Sequence, residues 1–168
     1  MDDIDQITAL IQRIDIDSDI RSNYESAFGN IVRFVKNYRK HAITRHELEV
    51  TKTLAAPFTR GGSLVLLLEP RRWHPWKLGA DLVIRDCKSL RVMDNGFRLV
   101  SEGCLSLTKG VSVLDLRPFL VMDDHPQLKC EVWEHLYDLV YEAIKAKEPD
   151  ALLCMGNVSA SSLRRSNS

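Results

Sequence analysis

The stretch Gly61-Gly62-Ser63-Leu64-Val65-Leu66-Leu67-Leu68-Glu69-Pro70 decides the fold. A glycine turn feeds a short unbroken apolar run, which suits a strand buried on both faces, as in a parallel sheet. Similar runs occupy Ala80 to Ile84, Val111 to Leu116 and Ala151 to Met155. Between the last two, Glu131 to Lys147 carries Val132, Leu136, Leu139, Val140, Ala143 and Ile144 at helical spacing, the pattern of an amphipathic helix. Alternating helix and strand predicts a three-layer α/β/α sandwich around a short central parallel sheet. Ligands of such sheets gather at the carboxyl ends of the strands. The chemistry is therefore expected just after Leu68, around Asp115 and after Met155.

Upstream of the glycine turn the period is helical. Tyr24, Ala27, Phe28, Ile31, Val32, Val35 and Tyr38 form a long stripe, and a further helix is predicted over His46 to Ala55. Ile4, Ile7, Leu10, Ile11 and Ile14 make a shorter stripe, closed by a polar break with Ser18 as a helix cap. The expected organisation is an N-terminal helical extension over residues 1–20, an α/β domain over 21–158 and a frayed serine-rich tail over 159–168.

The chain has 168 residues, of which 45% are hydrophobic and 27% charged. That is one domain's worth, of ordinary globular composition. Its 23 basic and 23 acidic side chains cancel, so no global field steers it to nucleic acid or to an anionic membrane, and partners must be sought in local patches. No apolar run approaches the length of a spanning helix, and the start Met1-Asp2-Asp3 lacks the order of a signal peptide. The expectation is an intracellular protein of nucleus or cytoplasm with no membrane partner. Cys87, Cys104, Cys130 and Cys154 form no C-x-x-C pair, and are read as buried small hydrophobes rather than zinc ligands, with an iron-sulfur site as the alternative.

One short motif misleads. Glu102-Gly103-Cys104-Leu105-Ser106 matches the EGCLS signature with which peptide deformylases bring a cysteine to their metal. That site also needs an H-E-x-x-H helix, and His41, His46, His74, His125 and His135 supply no such pair. No metal and no cofactor are expected.

A broader match runs from about Ala27 to Gly156. Glu69-Pro70 at the end of the first strand, followed by Arg-Arg-Trp-His-Pro-Trp-Lys-Leu-Gly79, resembles the G-Q-D-P-Y-H segment and later glycine of uracil-DNA glycosylases. Gly103-Cys104-Leu105 is similar to that family's G-x-L segment, and Gly110-Val111-Ser112-Val113-Leu114-Asp115 to its G-V-L-L-L-N strand. Trp133 to Leu136 and Ala151-Leu152-Leu153-Cys154-Met155-Gly156 resemble its tryptophan helix and L-L-W-G strand. The resemblance implies a glycosylase-like α/β domain.

The departures from that pattern bear on function. Glu69 stands where the family's aspartate polarises the attacking water, one methylene farther out, and ~1 Å of misplacement in a catalytic group costs roughly 100-fold in rate. Asp115 stands where an asparagine both donates to and accepts from uracil; an ionised carboxylate only accepts. The stacking aromatic falls at Leu82 and the thymine-excluding tyrosine at Arg71. The histidine that stabilises the uracil anion has no counterpart in the twelve residues after Gly156. By this resemblance no catalytic residues remain, and Glu69 and Asp115 are degenerate positions.

Arg71-Arg72-Trp73-His74-Pro75-Trp76-Lys77 then becomes the candidate binding segment. Its cations suit phosphates and its indoles suit unpaired bases, yet tryptophan and arginine are equally the commonest anchors of protein interfaces. In a blander reading both indoles simply cap the core. The expectation is a catalytically inactive glycosylase-fold protein that works as a protein-interaction or scaffold module, in a DNA replication, repair or chromatin complex. Poxvirus members of the family use the fold as a scaffold subunit. The alternatives are an active DNA glycosylase of altered base specificity and a nonspecific single-stranded nucleic-acid binder.

Overall fold

The structure, a computed structural model, describes residues 23–39, 41–70, 74–120 and 128–155. Helix α1 runs over residues 23–36 and α2 over Arg45–Ala55; strand β1 is Ser63–Leu67. A 3-10 turn, Trp76–Leu78, leads into α3 (Ala80–Asp86) and α4 (Lys88–Val100). Strand β2 (Val111–Asp115), α5 (Cys130–Lys147) and β3 (Ala151–Cys154) complete the order. The three strands are parallel in the order β2-β1-β3, with Ser63 beside Val111 on one side and Ala151 on the other.

The unbroken apolar run of β1 is explained by its central place. Leu64 and Leu66 face one cluster, formed with α1 and α5 through Tyr24, Phe28, Ile31, Leu136 and Val140. Val65 faces the other, with Val50 and Leu54 of α2, Val83 and Ile84 of α3 and Leu90 of α4. Helices thus cover both faces of a short parallel sheet. At about 25 cal/mol for each Å² of apolar surface removed from water, these two clusters supply most of the folding drive.

The run Ala80 to Ile84 is corrected from strand to helix. Ala80, Val83, Ile84 and Cys87 follow the i, i+3, i+4, i+7 rule, and all four belong to the second cluster. Gly79, at φ 85°, turns the chain into the helix, and Asp81 lies in its positively polarised first turn. The cysteine expectation is also corrected. Cys87 and Cys154 are half-buried, while Cys104, in the turn after α4, and Cys130, at the start of α5, are exposed. The expected N-terminal extension and serine-rich tail lie outside the described residues.

One cation just after α1 is tied to the core. Arg39 Nη1 lies 2.9 Å from Oε2 of Glu47, a residue only 4% exposed. Thr44 caps α2 by accepting from the Glu47 amide, which orients that turn. Removing one partner of a buried pair strands the other's charge, so Arg39→Ala is expected to lower stability by about 3 kcal/mol in urea unfolding. Arg33→Ala, on an exposed residue, is expected to change stability by less than about 0.5 kcal/mol.

Among the described residues no helix is long and apolar enough to cross a membrane.

Candidate functional site

The strands of a parallel sheet end together, and here their carboxyl ends open on one cleft of 660 Å³. Leu67 to Pro70 enter it from β1, Val113 and Asp115 from β2, and Met155 from the end of β3. The opposite wall comes from Leu54 of α2, Val83 of α3, and Leu90 and Met93 of α4. Such a volume, with apolar walls and a few converging polar groups, is that of a small-ligand site.

Asp115 is the most perturbed group in this cleft. Its Oδ1 is sealed from solvent and has no hydrogen-bond partner among the described residues. Burial first, and the negative charge of Glu69 second, push its carboxyl from 3.8 up to about 7. Ionisation in a low-dielectric site beside a like charge is disfavoured twice over, which explains the direction. At neutral pH Asp115 is thus divided between a protonated form that donates and an ionised form that only accepts.

Glu69 is held differently. Its Oε2 lies 3.3 Å from Nη1 of Arg117. Arg117 is itself anchored, with Nε donating to the Tyr137 hydroxyl at 3.0 Å and its guanidinium 5.0 Å from the Trp133 ring centroid. Both members of the ion pair are mostly buried, at 12% and 27% side-chain exposure. The cation therefore partly offsets the charge of Glu69 and restrains its carboxylate.

The candidate binding segment divides. His74 and Trp76 line the cleft, their rings 4.8 Å apart edge to face. Trp76 also packs against the second core cluster and lines a smaller groove of 370 Å³ with His46, Glu49 and Lys77. Its indole is a wall between two cavities. Lys77 is exposed on the 3-10 turn. Arg71, Arg72 and Trp73 lie outside the described residues. Leu82, which the resemblance aligned with a stacking aromatic, sits on α3, where its neighbour Val83 reaches the cleft.

Sequence reasoning missed Arg117 and Tyr137. The signal for Arg117 was its place two residues beyond Asp115, where its amide still donates to the Leu68 carbonyl and so extends the sheet edge toward Glu69. Tyr137 gave no sequence signal, because its hydroxyl reaches the site from α5, 20 residues away from Arg117.

Among the described residues no group of three or more His, Cys, Asp or Glu side chains is placed to hold a metal ion. In comparisons with known proteins, no family model, no curated protein and no solved structure matches this chain.

Proposed function

We propose that this chain is a catalytically silent domain of the uracil-DNA glycosylase type that acts by binding, as an interaction or scaffold module in a DNA replication, repair or chromatin complex. The observation that carries the reading is the Arg117–Glu69 ion pair. A carboxylate that activates water needs an unneutralised oxygen aimed at the solvent molecule. Here the Arg117 guanidinium pairs with Glu69 Oε2, and Asp115 offers the donor of an asparagine only in its protonated form. The parallel sheet edge positions both groups, beside an aromatic wall at Trp76 that suits an interface anchor.

Base release from single-stranded and duplex DNA containing uracil, hypoxanthine or cytosine tests the silent chemistry. No release above background is expected from the wild-type chain or from Glu69→Gln. The binding role predicts that Trp73→Ala combined with Trp76→Ala abolishes partner capture from lysate while the fold is retained. Unchanged capture, together with unchanged nucleic-acid binding, would refute that role.

A second reading is favoured by the cleft itself. Glu69 and Asp115 share a volume that admits a nucleobase, and burial raises the Asp115 carboxyl to about 7, where a carboxylic acid can still give a proton. An active glycosylase of altered specificity would show base release with a pH optimum near the titration of Asp115 and a loss of activity in Glu69→Gln. Measurable release with that profile would replace the first reading by this one.

A further inference from the structure

The cleft at the strand ends has a sign of charge. Among the described residues that line it, the side chains that carry a fixed charge are Glu69 and Asp115, and both are acids. Arg117 stands behind Glu69 rather than in the lining, committed to that carboxylate, to the Tyr137 hydroxyl and to the Trp133 ring. Among the described residues one cation thus serves two acids. A cleft of one sign between apolar walls focuses its field, which repels an anionic ligand and draws in a cationic one.

Asp115 is also short of donors. It lines the cleft, yet its Oδ1 accepts no hydrogen bond among the described residues and is cut off from solvent. A buried carboxylate without a donor is costly, and a ligand that carries N–H groups to it removes that cost. A planar fork of N–H groups suits a carboxylate best, because it makes two parallel charge-assisted bonds. An ammonium brings only a point charge.

The other walls set the body of the ligand. Leu54, Val83, Leu90 and Met93 are apolar, and Trp76 adds a flat aromatic surface. A volume of 660 Å³ is far more than a bare cation fills, so an apolar or aromatic body accompanies the charge.

We infer that the cleft binds a small organic cation, an amidinium or guanidinium on an apolar body, which pairs with the Asp115 carboxylate. This binding needs only the cleft and is independent of any protein partner. Loss of partner capture would leave it intact.

Titration calorimetry of the full chain with benzamidine tests this, with benzamide as the neutral isostere and benzoate as the anion. Benzamidine is expected to bind more than about 10-fold tighter than either. The groups able to titrate in the cleft wall are Asp115, Glu69, His74 and Cys87, with Arg117 behind Glu69. Pairing needs Asp115 ionised, and burial holds its proton up to about pH 7. Affinity should therefore rise roughly 10-fold per pH unit through the acid range and level off above that value. Asp115→Asn, its fold verified by thermal unfolding, is expected to lose both this slope and the preference for benzamidine over benzamide. His74→Gln should keep the slope. Ser89→Trp, at an exposed residue of the cleft lining, should block binding and so locate the ligand. Benzamide binding as tightly as benzamidine overturns the inference. So does a slope that survives in Asp115→Asn, binding indifferent to Ser89→Trp, or no binding of benzamidine at about 10 mM.

Discussion

Asp115→Asn is expected to stabilise the folded protein at pH 7 and above. In the folded chain burial and the neighbouring Glu69 raise the Asp115 carboxyl to about 7, whereas in the unfolded chain it titrates near 3.8. Between those values the native state keeps a proton that the unfolded state has released. Stability therefore falls as pH rises through this window, and the penalty is complete above it. A displacement of that size corresponds to at most ~4 kcal/mol. Asparagine has nearly the same shape and no charge, and its amide supplies a donor beside Glu69. Thermal unfolding of the two proteins should coincide near pH 4 and diverge steadily toward pH 8, with the variant the more stable. Parallel curves at all pH values would show that the carboxylate is not desolvated as described.

The second large effect lies at the other end of the sheet. Lys147, the last residue of α5, is 1% exposed, and its Nζ donates to the carbonyls of Pro57 at 2.8 Å and Thr59 at 2.6 Å. The ammonium also sits 5.5 Å from the Tyr24 ring centroid. It thus ties α5, α1 and the segment leading into β1 at one point. Burial pushes its pKa down, and Asp150 opposes that shift. Lys147→Ala would leave two carbonyls without their donor and a cavity where the alkyl stem had been. The expected loss is about 4 kcal/mol by urea unfolding, a large part of the stability of a domain this size. Lys147→Met keeps most of the volume and loses only the donor and the charge, so about half that loss is expected. If the two variants were equally mild, the ammonium would not be the tie.

Both effects turn on groups whose role the sequence does not display. Lys147 closes the helical stripe of α5 as an ordinary cation in a last turn, where the helix dipole alone explains it. Only the fold brings it under Pro57, 90 positions earlier. Asp115 was legible as a residue at a strand end, the place where ligands of parallel sheets bind. Its partner was not legible, since pairing Arg117 with Glu69 depends on two strands lying side by side and on the anchor that Tyr137 provides from α5.

The elements show the same division. β1, β2 and α5 could be read because each keeps one period; β3 was read as a strand, but not as the exposed edge it forms, with Leu152 and Leu153 39% and 41% exposed. α3 was misread because five apolar-rich residues satisfy strand and helix alike, and the deciding members, Ala80 and Cys87, flank the core of the run. The sequence reading placed no element over α4, although its apolar residues fall on one side of a helix and its charged residues on the other.

By itself the sequence determined the alternation of strand and helix, the parallel sheet that follows from it, and the edge at which Glu69 and Asp115 emerge. Those properties depend on local periodicity, which the chain carries wherever it is cut. The tertiary structure alone decided that Glu69 is paired with Arg117, that Asp115 is desolvated and that Trp76 walls a cleft. Each of these is set by which distant side chains share a small volume, and distance in space between such residues is not written in their order along the chain.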